Sequence, residues 1–444
     1  MLMMGDSCAA MFGAYFDKPQ APGSERWWLA MRETGVPVIK KQANRQCDVL
    51  FLWRDPQGDE TTSPVTKVFM DVNSVTDHHS TKPTAMSRLA GTDVWFWHVQ
   101  LPSTWRGSYQ FIPLTSVDMP EWNDVEDLRS QQRRWWMSII PFAVPDSLNV
   151  WRGHVGHWGT RLSALHMPDA PRQSAWYARD TGSENEPAGL TTLIWDSLIL
   201  NNRRQVWVYA TGSNDLTAEE KAQRPLVLLL DGRFWAENMP IFSALEYETQ
   251  QGHIPPAVYV LIDEINGQYR SVELPCNTEF WQAVLTELMP WLKEDFSFTD
   301  EAHKTVVAGQ SFGGLAAMYA GYNWPERFGC VLSQSGSFWW PDVALLQQTT
   351  DIIHGRQPGL RAWLTQQIEQ QPIAKPLNVY LEAGTREGEM IDLSESLSLV
   401  LNDAGHRVIF NAFEGGHDRL CWRGGLLNGL AHLLSDSTST EISS

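Results

Sequence analysis

The chain has 444 residues, 43% hydrophobic and 19% charged, enough apolar material for a globular protein of two domains. Its 34 basic and 52 acidic residues give a formal net charge of −18, which argues against nucleic acid as the main partner. No apolar run reaches the roughly 18 residues of a membrane span, and the start, MLMMGDSCAAMFGAYF, lacks the basic region and cleavage site of a secretory signal, so a cytoplasmic location away from membranes is expected.

After a short helical candidate, SERWWLAMRETG, come the strand-like runs CDVLFLWRDP, VTKVFMDV, DVWFWHVQLP and SYQFIPL, separated by Pro, Gly and Asn/Asp turn signals. Their spacing predicts an antiparallel β-sandwich of immunoglobulin-like type over residues 1–180. From Pro168 to about Thr192 the text is polar, contains Pro and Gly, and has no sustained periodicity, which marks a linker. Over residues 181–444, strand candidates (RQVWVYAT, PLVLLLDG, AVYVLID, TVVAGQS, CVLSQSG, LNVYLEAG, VIFNAFEGG) alternate with helical ones (FWQAVLTELMPWLKE, GLAAMYAGYNW, LSESLSLVLNDAG, RGGLLNGLAHLL). Buried strands joined by amphipathic helices imply right-handed crossovers and a mostly parallel sheet covered on both faces, an α/β domain. The Ser/Thr tail STSTEISS is expected to be disordered.

Five cysteines (Cys8, Cys47, Cys276, Cys330, Cys421) are scattered and contain no CxxC, which points to reduced thiols rather than a disulfide framework or a zinc site. The 22 tryptophans, several in pairs, supply core area, with a minority available to line a site for a flat ligand.

Within the second domain, GQSFG fits Gly-x-Ser-x-Gly, with Ser311 between the strand TVVAG and the helix GLAAMYAG. The turn must be sharp for the hydroxyl to stand above the sheet edge, so Gly309 and Gly313 are expected to remove side chains that would collide. The N–H of Phe312, at the helix start, is placed to stabilise an oxyanion, and a second donor is expected from Gly232 or Arg233 after PLVLLLDG.

A serine needs a base, and in this fold class the chain order is nucleophile, acid, histidine. His406 and His432 read as surface or packing residues. His417, in FEGGHDRLCW after a strand and just before a helix, is the candidate base, with Gly415 and Gly416 letting its loop fold close. The loop after LNVYLEAG offers Glu387, Glu389 and Asp392 to hold the imidazole; Glu387 comes first, with Asp392 next. Glu382 reads as a strand residue, and Asp418 as a ligand of the backbone or of a substrate-side cation. An activated serine with oxyanion donors requires no metal and no cofactor, and no HExxH or paired Cys/His cluster is visible.

The segments GQSFGG, CVLSQSGSFWWP, LLLDGRFWAENMP, VELPCNTEFW and GGHDRLCWRGG, with FLWRDPQG, VTDHH, LAGTDVW and WRGSYQFIP in the first domain, resemble the enterochelin (enterobactin) esterases over nearly the whole chain. The resemblance implies an α/β-hydrolase that cleaves the trilactone ester bonds of ferric enterobactin to dihydroxybenzoylserine units, with Ser311 as nucleophile and His417 as base. Related esterases often carry Asp after a Gly-Thr turn, where this chain has Glu387. A carbohydrate-ester esterase, feruloyl or acetyl, with an accessory β domain is the alternative. Because ferric enterobactin is aromatic and anionic, a chain of charge −18 is expected to gather Arg270, Arg233 and Arg106 at the cleft, with Trp235, Trp339 and Trp340 as aromatic contacts. Arg270 is expected near the end of a strand.

Overall fold

The computed structural model describes residues 13, 15–16, 20–156, 159–184, 187–212, 216–346 and 360–435. Cys8 and the tail at 437–444 lie outside these residues. By contacts the chain divides into two units: one of residues 1–172, 179–183 and 414–420, the other of 173–178, 184–413 and 421–444.

In the first unit the strands β1 (Val38–Lys41), β2 (Gln46–Arg54), β3 (Val65–Val72), β4 (Ser87–Arg88), β5 (Val94–Pro102), β6 (Arg106–Thr115), β7 (His154–Val155) and β8 (Arg161–His166) form two four-stranded antiparallel sheets. Their orders are β1-β2-β5-β4 and β3-β6-β8-β7. Alternation along each strand sorts the side chains. Val49, Phe51 and Trp53 of β2 meet Val68, Met70 and Val72 of β3 in the layer between the sheets. The opposite residues of β2, Leu50 and Leu52, pack with Trp27, Trp28 and Met31 of helix α1 (Glu25–Thr34). On the second sheet, Phe69, Ile112 and Leu114 pack with Trp136, Ile139 and Ile140 of the segment around helix α2 (Leu128–Ile139). Both sheets therefore have helix-covered outer faces, which explains why CDVLFLWR reads as a continuous apolar run rather than an alternating one. Ser24 caps α1 through its side chain and Gly35, at φ 88, ends it.

The second unit holds an eight-stranded sheet built from β9 (Thr191–Ser197), β10 (Asn202–Ala210), β11 (Leu226–Leu229), β12 (Val258–Ile262), β13 (Thr305–Gln310), β14 (Cys330–Gln334), β15 (Asn378–Gly384) and β16 (Arg407–Phe413). The order is β16-β15-β14-β13-β11-β12-β10-β9, parallel from β12 through β16 and antiparallel at β9 and β10. This is the α/β-hydrolase order, with the expected mostly parallel sheet. Its two faces are separate apolar layers. Val206, Leu226, Leu228, Val307, Val331 and Leu381 face one, and Trp207, Val227, Leu229, Val306, Leu332 and Tyr380 face the other.

Three elements differ from the sequence reading. The residues around Arg270 form helix α3 (Gly267–Glu273), capped by the Asn266 side chain, and not a strand end. Helix α4 (Phe312–Asn323) follows the serine as expected, but Glu389 and Asp392 lie inside helix α5 (Glu389–Asp403) and are buried, so the loop expected to offer three carboxylates ends at Gly388. The last helix, α6 (Arg419–Leu434), starts four residues earlier than its apolar pattern suggests, two residues after His417. No helix among the described residues is long and apolar enough to cross a membrane.

Candidate active site

Gln310, the last residue of β13, is still in parallel register with Gln334 of β14. One residue later the chain turns. Ser311 adopts φ 58 and ψ −121, a region that non-glycine residues enter only when the surroundings enforce it. The enforcement is visible: the Ser311 N–H donates to the Gln334 carbonyl at 3.0 Å. Its own carbonyl accepts from the N–H groups of Leu315 (3.1 Å) and Ser337 (3.0 Å). This strand-to-helix elbow presents the Ser311 Oγ, 3.3 Å from the Oγ of Ser337.

The elbow's need for glycine falls on Gly309 and Gly314. A Cβ on Gly309 would lie 2.4 Å from the Gly313 backbone, and one on Gly314 would lie 2.6 Å from Ser333 Oγ and 3.0 Å from the Gly336 Cα. A Cβ on Gly313, by contrast, would meet Leu230 and Asp231 at 3.4 and 3.5 Å, ordinary contact. The expected collision at Gly313 is therefore absent; its role is to be the backbone that Gly309 approaches.

Strand β11 pairs with β13, Leu229 opposite Ala308, so the loop that follows it begins beside the elbow. Asp231 in this loop has φ 54, and Gly232 sits so near the Ile262 backbone (2.5 Å from a built Cβ to its N) that no side chain fits. The Phe312 N–H heads α4, where the first amides have no intrahelical partner.

Arg270 ties the two pieces together. Its guanidinium is bidentate to Asp231, at 2.5 and 2.7 Å, reaches the Gln310 carbonyl at 3.3 Å, and lies 5.7 Å from the Phe312 ring centroid. It thus grips residues on both sides of the nucleophile and the loop carrying Gly232. Arg233 pairs with Asp263 at 2.7 Å and keeps part of its side chain exposed. Trp235 is buried, and its indole N–H donates to the Gln310 side chain at 3.0 Å, so it packs beneath the elbow. Trp339 stacks obliquely on Phe312, with centroids 5.6 Å apart, and Trp340 meets Trp363 edge-on at 5.5 Å; both are half-buried. Arg106 belongs to the first unit, where it is buried and donates to His166 Nδ1 at 2.8 Å and to the Pro171 carbonyl.

Beneath the elbow a polar row crosses the sheet. Gln310, Gln334, Glu382 and Asn411 are successive register partners on β13, β14, β15 and β16. Gln310 donates to Gln334 (2.9 Å), Gln334 to Glu382 (2.9 Å) and to the Trp422 carbonyl (2.8 Å), and Asn411 to Glu382 (3.3 Å). Burial among amides, with no cation beside it in the row, pushes the Glu382 carboxyl up to about 7.

Glu387, just past the end of β15, accepts from the Ser335 Oγ at 2.6 Å and the Gly384 N–H at 2.8 Å. Ser335 is itself at φ 47 and takes a bond from the Trp422 indole at 2.8 Å. His417 is exposed and lies four residues after the end of β16, in a segment that groups with the first unit. His406 is a structural residue: its Nδ1 accepts from the Leu377 N–H at 3.1 Å.

A family model described as Enterochelin esterase, N-terminal matches residues 48–176, and one described as Putative esterase matches residues 197–433. The iron(III) enterobactin esterase of Dickeya dadantii is 47% identical over 421 residues, covering 94% of each chain. The chain belongs to the enterochelin esterase family. Membership makes it a carboxylic ester hydrolase. The family fold also matches in three dimensions. A crystal structure of the Shigella flexneri enterobactin esterase in the presence of enterobactin aligns at TM-score 0.79 with 41% identity, over 93% of this chain and 99% of that one. The ferric enterobactin esterase of Salmonella typhimurium aligns at 0.80 with 43% identity, over 92% and 98%.

Ser335, Ser337 and the Gln310–Gln334–Glu382 row escaped the sequence reading. The one signal available was that GQS, SQS and LEA each end a predicted strand with a polar residue at the same depth, which becomes a contact only once the strands are ordered.

Proposed function

We propose that this protein hydrolyses the ester bonds of enterobactin, with Ser311 as nucleophile, His417 as general base and Glu387 as the carboxylate partner of the base. The observation that carries this reading is Ser311 held at φ 58 between β13 and α4, a geometry whose strain is maintained by three backbone bonds.

In the first step the Ser311 Oγ attacks a lactone carbonyl carbon and its proton passes to His417. The carbonyl oxygen gains negative charge, which the N–H of Phe312 and an N–H of Gly232 or Arg233 receive. Collapse breaks the bond to the leaving serine alcohol of the substrate, which takes the proton from His417. Water, deprotonated by the same imidazole, then releases the acyl group from Ser311. Iron enters as cargo, held by the substrate's catecholates, and leaves as the backbone is cut to dihydroxybenzoylserine units. Arg233, Trp339 and Trp340 retain exposed surface for an aromatic anion. The site of action is the cytoplasm. A carbohydrate-ester substrate is not favoured, because the relatives matched along nine-tenths of the chain are named as enterobactin esterases.

Ser311→Ala should abolish release of dihydroxybenzoylserine, a loss of at least about a thousandfold, while ferric enterobactin binding, followed by quenching of tryptophan fluorescence, stays within a few-fold of the unmodified protein. Chromatography of the products reads the first; a variant that still cleaves at a tenth of the normal rate removes Ser311 from the nucleophile role.

A further inference from the structure

The segment that carries His417 has flanks in one unit and contacts in the other. β16 before it and most of α6 after it belong to the sheet unit, whereas residues 414–420 group with the β-sandwich unit. Three consecutive residues are gripped there. The backbone of Gly416 runs so close to the turn after β3 that a Cβ would lie 2.3 Å from the Ser74 Cβ and 2.7 Å from Asn73 Oδ1. The Asn73 side-chain amide donates to the His417 carbonyl at 3.0 Å. Asp418 is 3% exposed, and its Oδ2 accepts from both the backbone N–H and the hydroxyl of Ser108, each at 2.6 Å, while its Oδ1 accepts from the Leu420 N–H at 2.8 Å.

The gripping residues are themselves fixed. Asn73 follows the last residue of β3, Ser108 lies in β6, and the two are joined by a bond from the Asn73 N–H to the Ser108 carbonyl at 3.0 Å. The turn after Asn73 is closed by Thr76, whose Oγ accepts from the Val72 N–H at 2.8 Å. A charged acceptor bonded by two donors of one residue is among the stronger local restraints available. With 416, 417 and 418 each held, the backbone of His417 is located from both sides.

We propose that Asn73 and Ser108 of the β-sandwich are positioning residues for His417, so that this unit takes part in catalysis by locating the base. The inference rests on His417 being the base. It gives the sandwich a role in kcat, where an accessory binding module would act on KM.

The test compares the double variant Asn73→Ala/Ser108→Ala, Ser108→Thr and His417→Ala in the full-length protein, each with its melting temperature. In the double variant kcat should fall about 10- to 100-fold, as for a base displaced by a fraction of an ångström, with KM within about threefold. The second-order rate of Ser311 labelling by a fluorophosphonate should fall in parallel. Ser108→Thr, which keeps both donors, should recover kcat to within about threefold. An inactive His417→Ala together with a double variant at the normal kcat, or one altered in KM alone, overturns the positioning role and leaves the base assignment standing. A His417→Ala variant of normal activity overturns the base assignment instead. If the double variant fails to fold, Ser108→Ala alone, with the Asp418 carboxylate still bonded to the backbone N–H, decides by the same split of kcat from KM.

Discussion

At the scale of single residues, the side chains around Ser311 do their work by being held. Arg270, expected to meet the substrate, has its guanidinium engaged by Asp231, the Gln310 carbonyl and the face of Phe312. Glu382 is the most consequential neighbour that the chemistry does not use. Its folded value of about 7 lies above the ordinary 4.5, so between these pH values the folded protein keeps a proton that the unfolded chain has released. Stability is therefore drawn down by this group as pH rises from about 4.5 to about 7; the penalty is absent below that window and complete above it. Its upper size is about 3 kcal/mol. Glu382→Gln keeps an acceptor for Gln334 and removes the charge, so its stability relative to the unmodified protein should rise between pH 5 and pH 8 by a kcal/mol or more. Urea denaturation across that range reads the difference; parallel curves for the two proteins would mean that Glu382 ionises as an exposed glutamate does.

At the scale of elements, the elbow between β13 and α4 is a packing problem solved by two absent side chains. Gly309 crosses the Gly313 backbone at a distance no Cβ tolerates, whereas Gly313 has ordinary space around it. Gly309→Ala should lower stability by about 2 kcal/mol or more through overpacking and should cut activity sharply. Gly313→Ala, in the first turn of a helix where alanine is preferred by about 1 kcal/mol, should fold as well as the unmodified protein. Thermal unfolding of the pair is the measurement, and equal melting temperatures would show that the elbow relaxes around a methyl group. The element pattern was legible where periodicity is strong: α1, β2, β3, β5 and β6, and every strand from β10 to β16. It failed at α3, because QYRSVE has neither a clear apolar stripe nor an alternation, and the deciding feature is the Asn266 cap. It was silent on β9, whose TTLIWDS runs directly out of the polar stretch read as a linker.

At the scale of the whole molecule, charge and topology act over long distances. A formal net charge of −18 produces a field that repels an anionic siderophore once its approach falls within the screening length, which added salt shortens. Raising the ionic strength from about 20 to about 200 mM should therefore lower KM for ferric enterobactin with little change in kcat. A KM that rises with salt would show instead that a local basic patch governs capture. Topology returns residues 414–420 to the β-sandwich unit after more than two hundred residues of α/β sheet, so neither unit is one continuous stretch of chain.

The sequence by itself determined the two kinds of unit, the mostly parallel sheet, the elbow serine and the loop histidine, because these are written in local periods and in short motifs whose spacing carries the chemistry. Tertiary structure alone decided which side chains became partners. Gln310, Gln334 and Glu382 met because strand order brought three separate strand ends into register. Asp418 found Ser108 at a separation of 310 residues, and Asn73 found His417 at 344. Such pairings are set by crossover handedness and by the packing of whole layers, quantities with no local signature, so a polar residue's partner stays invisible until the chain has folded.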